Sequence, residues 1–314
     1  MSYSSEAIAF STIPPNQQVR IEDRISFLYL ERCIIRQSKT GVVAVRDNEY
    51  AELGRGSRTL QLQLPVAGTA VLCLGPGTSI SHAAITSCAR AGCTVIFSGA
   101  DGVNCYAHAT PLTSSAKWAL AQAAIISDSK AQVAAAIELY KKQFGIDAMP
   151  GGTIKALRGL EGRMMRNAYR DSAKRAKISG FKRDTGAIDP VNTGLNVANS
   201  IMYGVAATVC AAIGVNPALG IIHRGDARAL LFDLADLYKA SIVIPLVFSH
   251  AHDAEPLPVI RRDLRAVIFR KKLMIDMLGT LMEVLTPYLP NRDDDRLIGD
   301  DGAEVVGHVQ YGGE

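Results

Sequence analysis

The sequence predicts an α+β protein: a small β-rich N-terminal domain over residues 1–110, a larger all-α domain over 111–290 and an acidic tail over 291–314. Three observations carry this reading. Short apolar or alternating runs broken by glycine fill the first third, as half-buried strands require. After Pro111 the chain turns alanine-rich with helical spacing. With 48% hydrophobic residues, 314 residues can bury a full core and fill two domains.

The elements follow in order. Ile25–Glu31 and Val42–Arg46 read as strands joined across Lys39-Thr40-Gly41, and Asn48–Gly56 reads as a polar loop. Leu60–Leu64 alternates as a half-buried strand, and Val71–Leu74 is a strand ended by Gly75-Pro76-Gly77. A helix over about 81–91 starts at a serine cap and stops at Gly92. Thr94–Phe97 and Val103–Tyr106 form a hairpin across Gly99-Ala100-Asp101-Gly102. A linker near 107–114 leads to one long helix, Ser114–Phe144, and further helices fit about 151–178, 195–214, 227–240, 242–252 and 258–288. The tail lacks periodicity and reads as disordered.

Charge is uneven. The tail holds two arginines against seven carboxylates, whereas residues 151–190 hold ten Lys/Arg, Arg166 and Arg170 among them, against four acids. Such a basic stretch favours polyanions, although a solvated helix face has the same composition. The six cysteines show no paired metal spacing and read as free core thiols of a reducing compartment. Met1–Ser11 lacks a basic region and a continuous apolar core, so no signal peptide is expected. The most apolar helix, Ile201–Val215, is short for a membrane span. A soluble, cytoplasmic protein is expected.

Three stretches set ionisable groups among apolar neighbours: Leu160-Glu161-Gly162, Ile221-Ile222-His223 and Leu231–Leu237 with Asp233 and Asp236. Burying a carboxylate without a partner costs several kcal/mol, and a metal ion is one such partner. On the helix from Thr153, Ile154, Leu157, Leu160, Met164 and Ala168 mark the inner face, with Glu161 within or beside it; pairing with Arg158 is the plain alternative. Asp233 and Asp236, at i and i+3, project from one side of a helix and can bind one hard cation or divide between two; solvated acids are the alternative. His223 reads as a ligand or as a satisfied core residue. His250-Ala251-His252-Asp253 is read as a helix end, and Gly75-Pro76-Gly77-Thr78 as a turn without the lysine of a phosphate loop. No Gly-x-Ser-x-Gly elbow or cysteine–histidine signature supports nucleophilic hydrolysis.

Taken together, these segments resemble the CRISPR-associated integrase family of spacer acquisition, the "Cas one" proteins, and specifically the subtype I-E branch. Leu157–Gly162 is similar to the family segment with the metal-binding glutamate, Pro217–His223 to the one ending in the histidine, and Leu231–Asp236 to the helix with the acidic pair. Gly77–Ala84 and Gly99–Val103 match the N-terminal domain. The resemblance implies a β domain that dimerises and an all-α catalytic domain. Its catalytic residues would be Glu161, His223, Asp233 and Asp236, with Glu161, His223 and Asp236 holding Mg²⁺ or Mn²⁺. Lys239 and Arg262 look similar to positions that meet DNA backbone. The implied activity is insertion of short DNA fragments into a CRISPR array by 3′-hydroxyl attack. The implied partners are double-stranded DNA (protospacer and repeat) and a small second Cas protein bridging two dimers in a 4:2 complex. Ser79, Thr86, Asn104 and Asp226 depart from basic residues found in I-E relatives, with Arg55, Arg58 or Arg224 as candidate substitutes. A free-standing structure-selective nuclease and a non-catalytic DNA-binding scaffold are the rival readings.

Overall fold

The computed structural model describes residues 27–46, 60–100, 105–109, 116–290, 296–298 and 304–306. The polar loop, the hairpin turn residues Asp101 to Asn104, and Arg55 and Arg58 lie outside them. The chain divides into two compact units: residues 1–117 with 211–214 and 290–314, and residues 118–210 with 215–289.

The first unit holds two four-stranded sheets. One has the order β1 (Phe27–Leu30), β5 (Val71–Leu74), β7 (Thr94–Ser98), β8 (Cys105–Ala109); the other runs β4 (Leu60–Gln63), β3 (Gly41–Arg46), β2 (Ile34–Ser38), β6 (Ser79–Ile80). Ile35, Val42, Ala44, Leu72, Leu74 and Val95 pack with Ala84 and Cys88 of helix α1 (His82–Arg90) into one core. Ser81 caps α1 as expected, its hydroxyl accepting from the Ala84 amide at 3.2 Å.

Two expectations are corrected here. The strand joined to Gly41–Arg46 is Ile34–Ser38, which the sequence reading missed; Phe27–Leu30 instead pairs parallel with β5 in the other sheet. Arg36 and Gln37 mask the alternation of β2, because both side chains face solvent beside Ile34. All four residues of β4 are exposed, Leu60 at 66% and Leu62 at 51%, where half-burial was expected. Alternation identifies a face but not whether anything covers it, and β4 is an edge strand. In the tail, read as disordered, Arg296–Ile298 and Glu304–Val306 (β9, β10) pair antiparallel.

The second unit is helical: α2 (Lys117–Ser127), α3 (Ser129–Phe144), α4 (Ile154–Arg175), α5 (Pro190–Ile213), α6 (Ala229–Asp236), α7 (Ile244–Ser249), α8 (Pro256–Arg270) and α9 (Leu273–Leu285). The expected single helix over 114–144 is two, because the Asp128 side chain accepts from the Lys130 amide at 2.8 Å and restarts the helix. The expected helix over 258–288 breaks at Lys272, whose φ of +51° no helix continues. Helix α5 starts five residues earlier than expected: Asp189 accepts from the Val191 and Asn192 amides ahead of the apolar run. At 24 residues it is long and apolar enough to cross a membrane by length and composition, yet its apolar window is 72% buried inside the protein. None of the six cysteines is in a disulfide.

Candidate metal centre

The site is built on α4, α6 and the loop between α5 and α6. Leu157, Met165, Ser172 and Ala173 are the buried residues of α4, so its inner stripe is rotated by about one position from the expected one. Glu161 stands four residues after Leu157 and four before Met165, inside the stripe. It forms no ion pair among the described residues, so the alternative pairing with Arg158 is not made. Burial raises its carboxyl above the usual range, and the like charge of Asp236 adds to the rise.

His223 sits on an irregular loop rather than a helix. Asp233 fixes that loop from α6. Its Oδ2 accepts from the Ile221 amide at 2.6 Å and the Ile222 amide at 3.0 Å, while Oδ1 accepts from the His223 amide at 3.0 Å and lies 2.8 Å from Nδ1. A carboxylate can only accept, so Nδ1 carries the proton and Nε2 is the nitrogen available to a ligand. The hydrogen bond that its Nδ1–H donates to Asp233 holds the His223 imidazole above its ordinary range, against the opposing pull of burial. Burial pushes the Asp233 carboxyl up, opposed by the hydrogen bonds it accepts, that of His223 first. The Asp233 side chain, expected among the catalytic acids, is fully covered and its oxygens are taken up by the Ile221–His223 segment. From the other side, Gln132 of α3 donates to the Ile221 carbonyl at 2.6 Å.

Asp236, one turn beyond Asp233, faces elsewhere: its Oδ1 takes the Lys239 ammonium at 2.9 Å. Lys239, expected to meet DNA backbone, is largely covered beside Asp236, with a side-chain exposure of 21%. Burial alone would lower its pKa, but Asp236 and the phenols of Tyr169 and Tyr203 outweigh it, so the net shift is upward and the ammonium persists. The other expected DNA contacts lie on open surface. Arg166 and Arg170 are exposed on α4, and Arg262 is exposed on α8 with its Nε on Asp263 at 2.9 Å. His250 bridges Asp253 and Asp263, and His252 lies 2.7 Å from the Ala176 carbonyl, so both are engaged at a helix end. Asp226 pairs with Arg228, which lies over the Phe232 ring at 5.1 Å.

Two features escaped sequence reading. Arg183 is held on neutral partners, Asn192 Oδ1 at 2.9 Å and Asn196 Oδ1 at 2.5 Å. Two asparagines one helical turn apart at the start of α5 were the available signal. Tyr140 is 2% exposed, and its hydroxyl has no hydrogen-bond partner among the described residues; burial and then the Glu161 carboxylate raise its pKa.

Two carboxylates, one of them made harder to ionise by the other, beside an imidazole with Nε2 free, form a donor set suited to a hard or borderline divalent cation. As they stand, no three acidic, histidine or cysteine side chains among the described residues are gathered closely enough to hold an ion. Lys239 supplies the positive charge at Asp236.

The fold is that of a helical protein with a β-rich N-terminal unit, and comparison identifies the family. Residues 142–255 match the family profile "CRISPR associated protein Cas1". The "CRISPR-associated endonuclease Cas1 2" of Thermus thermophilus is 33% identical, over 94% of this chain and 92% of its own. The solved structure described as "Crystal structure of TtCas1" superposes with a TM-score of 0.73 at 33% identity, covering 83% of this chain and 98% of that one. The "TtCas1-DNA complex" superposes with a TM-score of 0.72 at 32% identity, over 85% and 98%. The chain belongs to the Cas1 family of CRISPR-associated proteins.

Proposed function

We propose that this chain is a metal-dependent DNA integrase and endonuclease of the subtype I-E branch, which inserts short DNA fragments into a CRISPR array. One observation carries the reading. Glu161 and His223 each feel the charge of Asp236, and Asp233 and Gln132 hold the segment that bears His223 in place. The relatives' name, endonuclease, and the DNA complex of a similar structure support a nucleic-acid substrate.

Glu161, His223 and Asp236 would hold Mg²⁺ or Mn²⁺. When bound, the cation supplies polarisation of a phosphate oxygen and stabilises charge in the in-line displacement. Asp233 keeps the imidazole in the tautomer that leaves Nε2 unprotonated. Lys239 balances Asp236 and stands where it can follow negative charge onto a phosphate. Arg166, Arg170 and Arg262 bind backbone, with affinity that falls as salt rises. The attacking group is the 3′-hydroxyl of the incoming DNA; its bond to the repeat phosphorus forms as the strand's own P–O3′ bond breaks.

The uncovered edge strand β4, with Leu60 and Leu62 exposed, fits a homodimer formed through the β-rich unit. A small second Cas protein would bridge two such dimers in the cytoplasm. The test is an integration assay with that partner, supercoiled array DNA and Mn²⁺ or Mg²⁺, run beside Glu161→Ala. Strand transfer by the native chain and not by the variant supports the reading. Partner-free cleavage of branched DNA without integration would replace it with a structure-selective nuclease. No product under any divalent ion would replace it with a scaffold.

A further inference from the structure

On the open side of Glu161, α4 carries two parallel rows at one-turn spacing: Lys155, Gly159, Arg163 and Arg158, Gly162, Arg166. Each row is cation, glycine, cation. All four cations are exposed, and none forms an ion pair among the described residues. Lys155, Arg158, Gly159 and Glu161 line an open cleft of about 530 Å³.

The glycines have no structural cause in the free chain. Neither has a positive φ. A Cβ built at either would meet nothing within 4 Å. Glycine is the poorest helix former after proline, so two in mid-helix weaken α4 without easing any contact in it. What they do is keep the helix surface bare beside Glu161, between two pairs of unneutralised cations.

We propose that the sugar–phosphate backbone of the substrate strand crosses α4 directly over Gly159 and Gly162. Its phosphates are gripped by Lys155 and Arg158 on one side and Arg163 and Arg166 on the other. The missing side chains let the backbone approach closely enough to bring a phosphate to Glu161. This rests on the DNA-processing function proposed above and adds the path by which the strand reaches the site.

The experiment compares Gly159→Ala and Gly162→Ala with Gly279→Ala, a helical glycine of α9 whose Cβ also meets nothing within 4 Å. Each substitution is expected to raise the thermal midpoint by about 2–4 °C through helix propensity. DNA strand transfer at saturating substrate is expected to fall by about 10²-fold for the first two, as a displacement of about 1 Å can cause, and to be unchanged for the third. Full turnover by both α4 variants, while Glu161→Ala is inactive, overturns the path and leaves the proposed function standing. A lowered midpoint overturns it too, because the glycines would then serve the fold. If the native chain processes no DNA, metal-free DNA affinity decides: equal affinity in all three variants overturns the path, and weaker binding in the α4 pair alone supports it.

Discussion

His223 Nδ1 lies 2.8 Å from Asp233 Oδ1, and the same carboxylate holds the backbone amides of Ile221, Ile222 and His223. One acid therefore fixes both the path of a loop and the tautomer of the imidazole at its end. Removing it must disturb fold and site together. Asp233→Ala is expected to leave two buried amides and a part-buried one without acceptors and to cost about 3 kcal/mol or more. Asp233→Asn, which keeps an acceptor oxygen, should cost less but weaken metal binding by about 10–100-fold, as loss of an orienting partner does. Chemical denaturation and metal titration separate the two effects; unchanged metal affinity in a folded Asn variant would remove Asp233 from the site.

The raised His223 pKa sets a pH dependence. A histidine whose pKa is higher folded than unfolded adds stability that is complete below the unfolded value, about 6.5. That stability is lost as pH rises through the folded value. Metal binding has the opposite sense, because Nε2 must be unprotonated: affinity should climb as pH rises towards the raised folded value, with a proton released per ion there, and level off above it. In Asp233→Asn the levelling-off should come at lower pH. Calorimetry in buffers of different ionisation enthalpy measures the proton count, and a pH-independent affinity would contradict the ligand role.

Glu161 carries a half-buried carboxylate raised by burial and by Asp236. Glu161→Gln removes that repulsion, so the metal-free variant should be as stable as the native chain or more so. Added Mn²⁺ at about 100 times Kd should stabilise the native chain by about 2.7 kcal/mol and the variant far less. Strand transfer should vanish in Glu161→Ala and Asp236→Ala with the fold retained. Equal metal stabilisation of native and variant chains would place the ion elsewhere.

Gly220 precedes the Asp233-held loop, and a Cβ there would collide with the backbone carbonyl of His223 and with Ala229. Backbone cannot swing away as a flexible side chain can. Gly220→Ala should cost about 1–3 kcal/mol as an overpacked site and reduce metal affinity beyond what stability explains. Native-like thermal stability and metal affinity would show that the loop yields without consequence.

Leu157 is fully buried on the inner stripe of α4. Leu157→Ala should cost about 2–5 kcal/mol by opening a cavity one turn from Glu161. Denaturant unfolding at constant m-value measures it.

The sequence by itself determined the division into a β-rich and a helical part, the serine cap of α1 and the glycine-ended strand Val71–Leu74. It also drew attention to Glu161, His223, Asp233 and Asp236 as candidates, because ionisable groups in apolar runs stand out against a hydrophobic period. Helix breaks at Asp128 and Lys272 were hidden, since one capping hydrogen bond or one left-handed φ outweighs a smooth propensity. The pairing of Ile34–Ser38 with Gly41–Arg46 was hidden too, because its solvent-facing polar residues mute the pattern. Only the tertiary structure separated Asp233 from Asp236. Their i, i+3 spacing reads as a matched pair, yet one is covered by a loop that brings it four donors, and the other meets the Lys239 ammonium. Spacing along a helix fixes direction to within a turn. What each carboxylate does is set by the donors that distant segments carry to it, and those are fixed by packing.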